Sequence, residues 1–210
     1  MRSIAHWTPH YLYSRSMVLL DQNFHPDAPW LTRHSVKLMA QLLRSEDVAL
    51  EFGSGRSTRW FARRVSRITS VEHDAVWHRM GLQSLQRVGL SNIDLLLRPI
   101  DVPELEGDRS AYVQTLDDIP DTSIDMCLVD GVYRGFCALG AISKIKSGGF
   151  IVVDNAGWFL PSNSRTPRAR PIEAGYSDRA WAEFAKQTSG WRRIWTTDGV
   201  IDTLLLFRDL

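Results

Sequence analysis

The sequence predicts an α/β fold, a doubly wound and mostly parallel seven-stranded sheet that ends in an antiparallel hairpin. Three observations predict it. Short apolar segments alternate with amphipathic ones from residue 48 to residue 188. Three of those segments, at 48–52, 124–130 and 149–154, are nearly all apolar, as parallel strands covered on both faces must be. The last two strand-like segments flank Thr197-Asp198-Gly199, a turn signal that joins them as a hairpin.

Residues 1–45 read as an N-terminal helical cap. One helix spans Tyr11 to Leu20 and carries Leu12, Met17, Leu19 and Leu20. Asn23, Pro26 and Pro29 interrupt the chain after it. A second helix starts from a Thr32 cap and runs to about Arg44, with Val36, Leu38, Met39, Leu42 and Leu43 on its apolar side. Residues 46–210 then form one α/β domain. Strand 48–52 ends at Gly53, and a helix follows from Arg56 to Arg67. Next come strand 68–72, a helix from Ala75 to Val88, and strand 93–97. After an irregular acidic stretch come strand 124–130, a helix from Ala138 to Lys146, and strand 149–154. Pro161–Arg179 holds three Pro, four Arg and three Ser, and its length marks it as a lid or acceptor loop. A helix from Asp178 to Thr188 and strands 191–196 and 203–207 close the chain.

Composition narrows the class. At 210 residues, 44% hydrophobic and 23% charged, the chain is an ordinary globular protein, which excludes collagen, coiled coil and a mainly disordered chain. A net charge of +1 gives no global field to attract nucleic acid, and none is expected as a partner. No apolar run reaches the roughly 18–20 residues of a membrane span, and the first residues carry no signal-peptide core. Cys127 and Cys137 sit in apolar surroundings, so a reducing, cytoplasmic location is expected. Arginine outnumbers lysine 21 to 4 along the whole chain, the mark of a G+C-rich genome more than of a binding patch.

Glu51-Phe52-Gly53-Ser54-Gly55-Arg56-Ser57-Thr58 follows a strand and opens a helix. Such glycines let a ligand approach the backbone, and the helix start offers free N–H groups. Glu72 lies 19 residues after Gly53, at the end of the next strand, where a carboxylate can accept from both hydroxyls of a ribose. The sixth position of a dinucleotide fingerprint is Gly or Ala, but here it is Thr58. That disfavours an NAD-dependent oxidoreductase and favours a nucleoside bearing an amino acid, whose carboxylate Ser57 and Thr58 would hold.

This stretch resembles motif I of the class I S-adenosylmethionine (SAM)-dependent methyltransferases, and Ser70-Val71-Glu72-His73-Asp74 looks like their second motif. The resemblance covers about residues 46 to 208, the closing hairpin included, and implies a Rossmann-like fold and SAM as cofactor. It implies that Gly53 and Gly55 pack on the methionine part, that Glu72 holds the ribose, and that His73 borders the adenine with Asp101 nearby. Glu51 and Asp130 complete the expected cofactor set. Asp74 also suits a plain helix cap.

Asp130 and Asp154 end adjacent parallel strands, so both side chains project from one edge, and Asn155 adds an amide oxygen. Two carboxylates and an amide suit Mg²⁺. Gly148-Gly149-Phe150-Ile151-Val152-Val153-Asp154-Asn155 is similar to the strand 5 motif of metal-dependent catechol and caffeoyl-CoA O-methyltransferases. Asp130-Gly131-Val132-Tyr133 resembles bacterial sugar O-methyltransferases, and Tyr133 stands where the catechol type has a catalytic Lys. The expected ligands are therefore Asp130, Asp154 and Asn155. The expected reaction is magnesium-assisted methyl transfer to a hydroxyl of a small acceptor, a sugar or saccharide before a catechol or phenol. Asp130 is the first candidate for the base, with Tyr133, His25 and, more weakly, His73 as others. Trp7, Trp30, Trp158 and Tyr133 are the candidate platforms for the acceptor ring, and Arg165, with Arg168 and Arg170, the candidate anion contacts. The N-terminal helices would serve the acceptor or a homodimer interface. A nucleic-acid methyltransferase is the other alternative, resting on Arg56, Arg59, Arg63, Arg64 and Arg67, whose spacing reads first as a solvated helix face. A non-catalytic nucleoside-binding module is the last, and the acidic cluster at the second edge speaks against it.

Overall fold

The computed structural model describes residues 8–209; Trp7 lies outside them. In chain order the main elements are helices α1 (Pro9–Phe24) and α2 (Arg33–Leu42), strand β1 (Val48–Phe52), helix α3 (Arg56–Ala62), strand β2 (Arg67–Glu72) and helix α4 (Ala75–Val88). Strand β3 (Ile93–Leu97), the short helix α5 (Ala111–Gln114), strand β4 (Ile124–Val129), helix α6 (Arg134–Lys144) and strand β5 (Ile145–Asp154) follow. Helix α7 (Arg179–Gln187) and strands β6 (Arg192–Thr197) and β7 (Asp202–Phe207) end the chain.

The strands form one sheet in the order β3-β2-β1-β4-β5-β7-β6. Six strands run the same way, and β7 runs against both its neighbours. Alternation of side chains makes two cores from the same strands. Leu50, Phe52, Cys127, Val129, Ile151 and Val153 face α5, α6 and α7. Ala49, Met126, Leu128, Val152 and Leu205 face α2 and α3. Burying one such Leu, Ile or Val contributes about 1.5–3 kcal/mol, so β1, β4, β5 and β7 anchor the domain. Local chemistry sets the ends of α4. Asp74 accepts from the N–H groups of Val76 and Trp77, and Gly89 closes the helix with φ 66°.

Register positions the site. β4 pairs with β5 so that Val129 faces Val153, which brings Asp130 and Asp154 together just beyond the last pair. Strand order reverses between β1 and β4, and in such sheets the crevice for ligands opens there, at the carboxyl ends of the strands.

One expectation, the start of α6, is corrected. Leu12, Met17, Leu19 and Leu20 of α1 face outward, and Ser14 is the helix's buried residue. The 161–179 segment is tied down. Arg170 donates to the carbonyls of Ala174, Gly175 and Tyr176, while Ser164 and Thr166 donate to buried Asp202. α6 begins at Arg134 and not at Ala138, because Tyr133 takes a left-handed conformation (φ 50°) and turns the chain into the helix. The basic run from Arg56 to Arg67, which continues past the end of α3 into β2, is occupied within the protein. Arg59 and Arg63 pair with Asp27, Arg64 covers Trp60, and Arg67 pairs with Asp94. Among the described residues, no helix is long and apolar enough to cross a membrane.

Candidate cofactor and acceptor site

The turn after β1 and the turn after β4 press on each other. Gly53 has φ +99°, and a Cβ there would stand 2.7 Å from the Gly131 nitrogen. A Cβ on Gly131 would stand 2.0 Å from the Tyr112 hydroxyl. Both contacts are closer than a Cβ tolerates, so a side chain at either position must displace its neighbour. Over Gly55, by contrast, there is room, with only Ser57 Oγ at 4.0 Å.

Glu51 does not reach this edge. Phe52 faces α5–α7, so its neighbour Glu51 faces α3, where it is fully buried. Its Oε2 accepts from Thr58 Oγ1 at 2.5 Å and from Ser70 Oγ at 2.6 Å. Oε1 has no partner. Burial raises the pKa of this carboxyl to about 7 against the pull of those hydroxyls. Glu51 and Thr58 therefore brace the glycine turn from beneath. Thr58 also accepts from the Gly55 N–H, which fixes the turn itself.

Glu72 stands where the ribose reading needs it. It is buried at the end of β2, and its Oε1 accepts from the N–H groups of His73 and Asp74 at 2.8 Å. Its Oε2 accepts the Ser54 hydroxyl at 2.6 Å and the Ser54 N–H at 3.1 Å. The hydroxyl on Oε2 stands in for a ribose hydroxyl, so the residues fit a nucleoside once Ser54 turns aside. His73 lies beside the same carboxylate, with Nδ1 3.0 Å from Oε1, and its ring meets Tyr112 edge-on at 6.3 Å. Tyr112, which the sequence did not single out, is fully buried between the two turns and donates to the Val71 carbonyl. Asp101 accepts from Ser110 Oγ and from the Ala111 N–H, so it fixes the start of α5.

The second edge carries an unexpected cation. Arg134 donates through Nη2 to Asp130 Oδ1 at 2.8 Å and to the Asp130 carbonyl at 2.9 Å. Through Nε it donates to the Gly131 carbonyl, and through Nη1 to the Asp154 carbonyl, both at 2.9 Å. The two carboxyl groups are within hydrogen-bonding reach of each other. Burial and the neighbouring Asp130 charge hold Asp154 well above the usual carboxylate range, and burial also raises Asp130 while Arg134 opposes it. Asn155 donates its amide N–H to Asp154 Oδ2. Asp130, Asp154 and Asn155 are thus brought together as expected, but the cation among them is a guanidinium and the amide donates. Asp154 Oδ1 has no partner, but with a guanidinium among the carboxyls and the amide donating, the donor set as it stands does not fit Mg²⁺. Among the described residues, no three His, Cys, Asp or Glu side chains cluster as a metal site.

Beside this edge lies a cavity of about 920 Å³ between α6, α7 and the 104–109 turn. Val132, Phe136, Trp158, Phe159 and Trp181 form its wall, and Glu104, Asp108, Asp178 and Arg179 its rim. Phe159 stacks on Trp181 with ring centroids 5.0 Å apart, and Arg168 covers one face of Trp158. Of the expected acceptor residues, Trp158 and the ring of Tyr133 line the cavity. The Tyr133 hydroxyl donates to the Val102 carbonyl at 2.6 Å. Trp30 lies elsewhere, half exposed under the Arg56 guanidinium. His25 is an exposed C-cap of α1 bound to Asp21, and Arg165 is exposed outside the cavity lining. None of these last three lines the cavity.

No protein-family model and no curated protein matches the sequence. Solved structures do match. A proposed caffeoyl-CoA O-methyltransferase of Staphylococcus aureus superposes with a TM-score of 0.59 at 16% identity, over 94% of this chain and 99% of that one. A proposed methyltransferase of Streptococcus mutans in complex with SAH gives 0.55 at 11% identity, over 83% and 95%. An rRNA methylase of Streptococcus thermophilus gives 0.53 at 12% identity, over 84% and 95%. The fold is that of the class I SAM-dependent methyltransferases. Its sheet and closing hairpin are the ones the sequence predicts.

Proposed function

We propose that the protein is a SAM-dependent O-methyltransferase that methylates a hydroxyl of a small acceptor, a sugar or saccharide first and a phenol second. One observation carries the reading: a buried Glu72 that already holds a hydroxyl, beside a two-glycine turn packed on Gly131, which lines a cavity of about 920 Å³. That volume suits a small ligand. When bound, the cofactor supplies an electrophilic methyl group on its sulfonium. The chain's part is alignment and exclusion of water. Glu72 fixes the ribose, and the Gly53–Gly55 turn lets the methionine part approach the backbone. Trp158 offers its ring to the acceptor.

Asp130 is the group that accepts the acceptor's proton. Its side chain is 29% exposed, whereas that of Asp154 is 4% exposed. Only one of the two carboxyls can therefore be reached, and Arg134 keeps it oriented. The test is transfer of isotope-labelled methyl from SAM to a panel of sugars, phenols and acids, alongside calorimetric titrations with SAM and with NAD. SAM binding and a labelled sugar are expected. Tight NAD binding without SAM binding would sink the reading.

A further inference from the structure

Arg134 is clamped on every side. Its guanidinium side chain is 17% exposed. Four of its five N–H groups are committed to Asp130 Oδ1 and to the carbonyls of Asp130, Gly131 and Asp154. Nη1 lies 3.8 Å from Asp154 Oδ2, and the Phe159 ring lies 5.7 Å away on the cavity side. The helix places it there. Tyr133 turns the chain, and Arg134, as the first residue of α6, is aimed back along the carboxyl edge of β4 and β5.

We propose that Arg134 is the resident cation of this edge and takes the place of a divalent ion between Asp130 and Asp154. Charge and geometry both support it. Two adjacent carboxyl groups need one positive partner in a dry setting, and a planar guanidinium meets carboxylate and carbonyl oxygens together. A divalent ion of the magnesium type demands near-octahedral oxygen ligands. It would have to compete with the guanidinium for Asp130, and it would meet the Asn155 amide as a donor to Asp154. Arg134 is a positioning residue: it holds Asp130 while that carboxylate works, and no Lewis acid assists the acceptor. The claim about metal stands whether or not the methyltransferase reading does, since ion binding is measured without turnover.

The experiment titrates the purified full chain with Mn²⁺, followed by electron paramagnetic resonance of the free ion, and with Mg²⁺ by calorimetry. The wild-type protein is expected to take up no stoichiometric ion up to about 1 mM, the weak end of protein divalent-cation sites. Arg134→Ala exposes the carboxylates and is expected to gain one Mn²⁺ site, at least tenfold tighter than any in the wild type. Adding Asp154→Asn should abolish that gained site. One tight Mn²⁺ per wild-type chain that Asp154→Asn removes overturns the proposal. A folded Arg134→Ala protein that gains no site overturns it equally. Should Arg134→Ala fail to fold, the wild-type titration still decides, and Arg134→Lys, which keeps the charge without the fork, is expected to fold and remain metal-free.

Discussion

Changing Glu51 to Gln should make the protein's stability less sensitive to pH, and the size of the change follows from its burial. The folded-state pKa of this carboxyl is about 7, against 4.5 in its ordinary setting. One pKa unit is about 1.4 kcal/mol. Because the folded value is the higher one, the folded state binds the proton more tightly. The contribution is complete below about pH 4.5 and is lost as pH rises to about 7. Between pH 5 and pH 8 the wild-type protein should therefore lose about 2–3 kcal/mol through this group. Gln is neutral at both values, and its carbonyl can still accept from Thr58 and Ser70. For a chain of this length, 1 kcal/mol moves Tm by about 2–4 °C. The Tm of Glu51→Gln minus that of wild type should thus rise by about 5–10 °C on going from pH 5 to pH 8. Burial also raises Asp47, Asp154 and Asp198, but those contributions are common to both proteins and cancel in the difference. Calorimetric melts at the two pH values measure it. A difference that does not change with pH refutes the reasoning. The same variant should bind SAM as wild type does, and a tenfold weaker affinity would place Glu51 in the cofactor site.

Three further outcomes follow from particular contacts. Glu72→Ala should weaken SAM binding by about tenfold to a hundredfold, the worth of hydrogen bonds to a charged group. Ser54→Ala should not weaken it, because that hydroxyl occupies the ribose's place; calorimetric titration of both variants decides. Gly131→Ala pushes a methyl group against the Tyr112 oxygen and should cost about 1–3 kcal/mol. Tyr112→Phe alone should cost about 1 kcal/mol, and the pair should be less destabilised than the two effects added, which urea melts would reveal. Asp202→Ala leaves the Ser164 and Thr166 hydroxyls without their acceptor, so limited proteolysis within 161–179 should quicken. Unchanged cleavage there would mean that Arg170 alone holds the segment.

What could be read from the sequence was what short stretches determine. The strand cores, the closing hairpin and α4 with its Asp74 cap carry their signals within a few residues, and the structure keeps them. The meeting of Asp130 with Asp154 was also legible, because adjacent strands of equal direction end at one edge. The face that Glu51 takes was open to reading as well. Side chains alternate along a strand, and once Phe52 faces α5–α7 its neighbour must face α3; reading the motif as a unit hid that parity. Arg134 is a harder case. Whether it or Tyr133 enters the carboxylate pair depends on one backbone angle, the left-handed φ of Tyr133, and non-glycine residues adopt that conformation too rarely for sequence to announce it. Tyr112 is harder still, since its partners Gly131 and Val71 lie 19 and 41 residues away and no local pattern links them. The residues that set the character of the site, a guanidinium in a metal's position and a phenol wedged between two turns, are therefore products of packing. A chain can keep the strand–glycine–helix signal intact while its second edge runs on a different cation, so the chemistry of that edge has to be established by measuring ions and not by matching motifs.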